Sequence, residues 1–101
     1  MRFSELLYQD KIIKGENQIL KILELENLHW LIDSEIEDAK IEIKNNTLIW
    51  HDGIYYSGHW YYGIFKGGNF YGIFENGILE GGNFYGKFLS GINRIPVIKN
   101  D

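Results

Sequence analysis

SGHWYYGIFKGGNFYGIFENGILEGGNFYGKFL, residues 57–89, decides the fold. The segment GGNFYGIF at 67–74 returns fourteen residues later as GGNFYGKF at 81–88. A shorter period runs inside it, a small residue followed two places later by a large apolar one. The pairs are Gly53/Tyr55, Gly58/Trp60, Gly63/Phe65, Gly68/Phe70, Gly72/Phe74, Gly77/Leu79, Gly82/Phe84 and Gly86/Phe88. Their spacing is five residues, with slips to four at Gly68–Gly72 and Gly82–Gly86. The phase extends backwards through LIWHD (48–52), a weaker unit at 43–47, AKIEI (39–43) and SEIED (34–38). Such self-similarity is the mark of a repeat architecture, in which each unit buries its apolar residue by stacking on its neighbours.

Two all-β arrangements satisfy this period. In one, each four- or five-residue unit is a short side of a β-solenoid. The large residue points inward, and the small residue marks a corner with no room for a side chain. SEIED and AKIEI resemble the pentapeptide-repeat family, whose small–polar–Leu/Phe units wind into a four-sided β-helix. The resemblance covers residues 34–93, with Gly in place of Ala and Trp or Phe in place of Leu in the later units. In the other arrangement the chain is a meander of short β-hairpins. Asn76-Gly77 is then a type I′ turn, and the stretch from Tyr71 to Gly77 resembles MORN repeats. The Gly- and Trp-rich units are also similar to repeats of uncharacterised tailed-phage proteins.

The flanks lack the repeat. Ser4 can cap a short helix through Tyr8. Residues 11–14 and 18–23 read as strand, turn, strand, and 24–33 as a short helix from the spacing of Leu25, Leu28, Leu31 and Ile32. The expected organisation is therefore one folded domain: a mixed α/β N-terminal cap at 1–33, the repeat at 34–93 and a C-terminal tail at 94–101. Ile92, Ile95, Val97 and Ile98 could close the far end of the stack or pair with a second copy, giving a homodimer through a repeat end.

Composition narrows the function. The 101 residues carry a formal net charge of −4 and are 45% hydrophobic, near the average for a soluble domain. There is no apolar run of membrane-spanning length and no signal-peptide pattern at the start, so neither a membrane nor a secretory role is expected. Without cysteine there is no disulfide, thiolate nucleophile or Cys-based zinc site. Eight acids against two lysines fall between Glu16 and Glu42, whereas residues 47–94 balance to zero. No basic footprint for direct nucleic-acid binding exists, and the acidic first half suits a partner with a basic surface.

Chemistry-bearing patterns are absent. His29, His51 and His59 have no metal-ligand spacing, and no serine sits in a Gly-x-Ser-x-Gly elbow. No catalytic residue, metal or cofactor is expected. What remains is surface: the residue after each inward aromatic should face solvent, and Tyr56, Tyr61, Tyr71 and Tyr85 stand there, with Tyr62 beside them. Tyrosine is enriched at binding hot spots. With Glu35, Glu37 and Asp38 these five form the expected partner-binding set. The expectation is a non-enzymatic protein-binding repeat protein, encoded by a phage or mobile element and acting in the host cytoplasm. Pentapeptide-repeat relatives include DNA mimics, so the resemblance implies inhibition of a host nucleic-acid-handling complex, a CRISPR effector or a gyrase-like enzyme. A structural virion or self-associating scaffold protein and a glycan-binding module are the alternatives.

Overall fold

In the computed structural model, which describes residues 1–95, the repeat winds as a small β-solenoid under an α/β cap. The cap comprises β1 (Phe3–Tyr8), β2 (Lys11–Ile13), α1 (Glu16–Leu25) and α2 (His29–Ile32). Two long strands follow, β3 (Glu35–Lys44) and β4 (Thr47–Ser57). The coil then proceeds in two-residue sides: β5 (His59–Trp60), β6 (Ile64–Phe65), β7 (Asn69–Phe70), β8 (Ile73–Phe74), β9 (Ile78–Leu79), β10 (Asn83–Phe84), β11 (Lys87–Phe88) and β12 (Ile92–Asn93).

Pairing between turns is parallel and gives the size of the coil. Ile49 pairs with Ile64 and Ile54 with Asn69, fifteen residues on. Below that level the offset is fourteen: Ile64 with Ile78, His59 with Ile73, Asn69 with Asn83. Three units of about five residues complete one turn, so the coil has three sides. The four-sided coil implied by the pentapeptide resemblance does not form, and beyond β4 the pairings are parallel rather than those of a hairpin meander. Both four-residue units, starting at Gly68 and Gly82, lie on the same side, formed by β7 and β10. Each turn there drops one residue at the same corner, which keeps the columns in register.

Side 1 carries the middle of β4, then β6, β9 and β12. Side 2 carries the end of β4, then β7 and β10. Side 3 carries β5, β8 and β11. Inside, three aromatic columns run along the stack. Tyr55, Phe70 and Phe84 lie parallel, with centroids 4.6 and 5.2 Å apart. Trp60, Phe74 and Phe88 do the same at 5.9 and 5.3 Å. Trp50 stacks on Phe65 at 5.5 Å, and Leu79 continues that column. Within one level the rings meet edge to face, as Trp50, Tyr55 and Trp60 do at 5.8–6.1 Å. Offset-stacked and T-shaped pairs are the two arrangements that aromatic quadrupoles favour.

The corner glycines are obligatory for two reasons, seen at Gly77. Its φ of +125° is outside the range of L side chains, and a Cβ there would lie 2.6 Å from the Gly63 carbonyl oxygen of the turn above.

At the cap end the chain reverses. β3 runs antiparallel to β4 through the turn at Asn45-Asn46, both at positive φ (52° and 60°). This is the type I′ signature without a glycine. β3 is thus the partner strand of a hairpin, and the units at 34–43 are not sides of the coil. They nevertheless keep its phase: Ser34 lies over Gly58 and Ala39 over Gly53, where the next small residues of the stack would be. Bulges in the β3–β4 ladder set Ile36 opposite Tyr55 and Ile41 opposite Trp50, buried residue against buried residue.

The cap differs from its sequence reading in three places. Residues 4–8 are not a helix but part of β1, parallel to β3, with Phe3 and Leu6 buried. Pairing on both edges, with β2 and β3, outweighs local helix propensity. Residues 18–23 are helix rather than strand, because Ile19 and Leu23 at i, i+4 bury one face in the core. The helix expected at 24–33 is broken in two: α1 ends at Leu25, Asn27 turns at φ +59°, and α2 restarts at His29. Leu28 and Leu31 are buried, and Leu25 is exposed. Together the helices roof the aromatic columns, with Trp30 edge-on to Trp60 at 5.2 Å. Ile95 packs partly against the core. Val97 and Ile98, expected at the far end, lie outside the described residues.

Candidate partner-binding face

The outer surface of a flat two-residue side carries two columns, one from the residue before each inward residue and one from the residue after it. On side 2 the second column is Tyr56, Tyr71, Tyr85. Their rings lie parallel within 14–15°, with centroids 6.3 and 5.2 Å apart, and each is 43–47% exposed. The ladder follows directly from the period: fifteen and fourteen residues separate its members, the same offsets that pair the backbones. Tyr71 N–H and Tyr85 N–H donate to the Tyr55 and Phe70 carbonyls at 2.8 Å, which holds the rungs at strand spacing.

The first column of side 2 is Ile54, Asn69, Asn83. Asn83 Nδ2 donates to Asn69 Oδ1 at 3.0 Å, a second ladder beside the tyrosines. At the cap end of the face stands Glu37, opposite Ile54 in the β3–β4 ladder, and Tyr56 OH donates to its Oε1 at 3.3 Å. Partial loss of water, followed by the Glu37 charge, pushes the Tyr56 phenol above its ordinary range. Glu35 opposes Ser57 in the same ladder, and Asp38 sits in the bulge at φ +53°; both are exposed. Six of the eight expected residues therefore meet on one face: Tyr56, Tyr71, Tyr85, Glu35, Glu37 and Asp38.

Tyr61 and Tyr62 do not join them. They follow Trp60 at the corner leaving side 3, and both rest edge-on against Trp30 of α2, at 6.1 and 5.7 Å. His59 stacks near Tyr61 at 6.0 Å, and its Nδ1 contacts Glu75 Oε2 at 2.6 Å. Partial burial and the Glu26 carboxylate raise the Tyr62 phenol. Unlike the ladder tyrosines, these two seal α2 onto the coil. Sequence alone gives all five the same position in the unit, or next to it; the three-sided turn is what separates them. The same fact brings in Asn69 and Asn83, which sequence reasoning missed. Their signal was present in the fourteen-residue GGNFYG repeat.

Other polar groups serve the fold. The buried Ser34 Oγ donates to the Trp30 carbonyl at 2.7 Å and lies 2.6 Å from Tyr55 OH. Burial pushes that phenol up to about 12 despite the bond to Ser34. His51 Nε2 contacts Glu42 Oε1 at 2.8 Å on the outside of the sheet. Among the described residues no group of three His, Asp or Glu side chains could hold a metal ion. Comparison with protein families, with curated proteins and with solved structures finds no match for this chain.

Proposed function

We propose that this chain is a non-enzymatic protein-binding solenoid whose side 2 is its recognition face. The observation that carries the reading is the exposed, stacked Tyr56–Tyr71–Tyr85 ladder beside the Asn69–Asn83 pair. Tyrosine supplies large, rigid contact area at small entropic cost, and asparagine and glycine supply adaptable hydrogen bonds, the composition of an antibody paratope. The β-solenoid beneath holds both columns rigid, so little ordering cost accompanies association.

The acids at the cap end of the face define the partner's chemistry. A surface rich in arginine fits best: guanidinium groups donate to the tyrosine hydroxyls along the outer edge of the ladder and pair with Glu37, Glu35 and Asp38. Nucleic-acid-handling enzymes carry such surfaces, and inhibition of one by occupancy, in the cytoplasm of a phage's host, is the specific form of this proposal. The test is affinity capture with tagged protein from a bacterial lysate, run in parallel with the Tyr71→Ser/Tyr85→Ser variant. The expected result is one stoichiometric protein retained by the wild type and lost by the variant. Recovery of the same proteins by both would refute side 2 as the face.

A further inference from the structure

Side 1 presents a different surface. Its first outer column is Ile49, Ile64, Ile78, Ile92, one isoleucine on each successive strand. Isoleucine is a general choice at this position, since Ile54 and Ile73 occupy it too. Side 2 interrupts it with Asn69 and Asn83, and side 3 with His59 and Lys87. Side 1 leaves it unbroken over about 14 Å, three strand spacings; Ile49, Ile64 and Ile78 are half-buried and Ile92 is 51% exposed. Beside it runs a column of four exposed residues, His51, Lys66, Glu80 and Arg94.

The two middle charges, Lys66 and Glu80, exchange places as complements when the column is reversed. We infer that side 1 is a self-association face, on which a second copy of this chain docks antiparallel about a two-fold axis passing between β6 and β9. In that register Ile64 meets Ile78 of the second copy, and Ile49 meets its Ile92. Lys66 faces Glu80 of the second copy, and Glu80 faces its Lys66, two ion pairs from one contact as isologous symmetry requires. Arg94 comes opposite the second copy's His51, which is already joined to Glu42. Moving the axis one strand toward the cap would set Ile78 against the Glu42 carboxylate. Moving it half a strand would set Lys66 against Lys66. Moving it one strand the other way would pair Glu80 with Arg94 but leave Ile49 and Ile64 uncovered, so charge and apolar contact together select the register. Two short columns fall short of the ~800 Å² per partner of a standard interface, so the dimer is weak. Side 2 stays free for its own partner.

Sedimentation velocity of the intact chain, from about 10 μM to about 1 mM, tests the inference. Wild type is expected to pass from monomer to dimer across that range, and Ile78→Lys to remain monomeric with an unchanged circular dichroism spectrum. Lys66→Glu and Glu80→Lys should each weaken the dimer about tenfold, because two pairs turn repulsive. The double exchange Lys66→Glu/Glu80→Lys should restore it. An equimolar mixture of the two single variants should also associate, since both contacts between positions 66 and 80 across that heterodimer are again attractive. A chain monomeric to 1 mM would overturn the proposal, as would a dimer indifferent to these charges. A dimer weakened by Glu80→Lys and not by Lys66→Glu would overturn the register.

Discussion

Replacing Phe70 by alanine should remove a large part of the stability of this domain, whereas the same change at Phe88 should cost much less. Phe70 is fully buried, clamped between Tyr55 at 4.6 Å and Phe84 at 5.2 Å, with Phe65 and Phe74 edge-on at 5.3 and 5.7 Å. Truncating a buried phenylalanine costs about 3–5 kcal/mol, and the figure depends on how far the site can collapse. Here collapse is blocked: Tyr71 N–H bonds to the Tyr55 carbonyl, and Tyr85 N–H bonds to the Phe70 carbonyl, fixing the turns above and below. The upper end, about 4–5 kcal/mol, is therefore expected, against a total of ~5–15 kcal/mol for a typical domain. Phe88 is partly exposed and has one parallel neighbour, Phe74, so about 1–2 kcal/mol should be lost. Urea denaturation followed by tryptophan fluorescence measures both, with the slope checked for two-state behaviour. Should Phe70→Ala fail to fold, Phe70→Leu gives the comparison at reduced scale. Equal losses at positions 70 and 88 would refute the stacked-column account of stability.

Four further outcomes follow from the same geometry. Gly77→Ala combines a forbidden φ with a Cβ 2.6 Å from the Gly63 oxygen, so it should lower stability by more than about 2 kcal/mol in a thermal melt. Gly15→Ala, whose nearest contact is the flexible Gln18 side chain, should be close to neutral. Tyr55→Phe should cost about 1 kcal/mol at neutral pH by deleting the bond to Ser34. The Tyr55 pKa is raised in the fold, so the unfolded chain ionises first, above pH 10. Wild type then loses about 1.4 kcal/mol per pH unit up to about pH 12 that Tyr55→Phe retains. The two stability curves should cross about one unit above pH 10; parallel curves would contradict the buried phenol. Tyr71→Ala, on the outside, should lower stability by less than about 1 kcal/mol while abolishing partner capture, the separation expected of a recognition residue.

Much of the repeat was legible because a solenoid writes its geometry into a short period. The small–x–large spacing named Tyr55, Trp60, Phe65, Phe70, Phe74, Leu79, Phe84 and Phe88 as inward; all are buried except Phe88 in the last turn, which is half-buried. The number of sides was less accessible. A five-residue unit is compatible with three or four corners, and the fourteen-residue recurrence of GGNFYG was the clue that three units close a turn. The cap was misread where local and tertiary signals conflict. The Ile- and Leu-rich stretch at 18–23 fits strand propensity, yet Ile19 and Leu23 meet the core from one helical face. The hairpins at Gln9-Asp10 and Asn45-Asn46 take positive φ without glycine, so their turns carried a weaker mark than Asn76-Gly77, which is a coil corner. Of the candidate site, exposure was predictable from the phase, since Tyr56, Tyr61, Tyr62, Tyr71 and Tyr85 are all solvent-facing. Which of them share a face depends on the turn length, and that fourteen-residue turn puts Tyr61 and Tyr62 on the seam with α2.

The recognition face is tested most directly by the affinity of the captured partner for two variants, measured by calorimetry at fixed salt. Tyr71→Ala, at the centre of the ladder, should weaken binding by about 30-fold or more, a hot-spot loss of ~2 kcal/mol or greater. Ile64→Lys, on side 1, should leave that affinity unchanged. Undiminished binding by Tyr71→Ala, with the variant folded, would contradict the account.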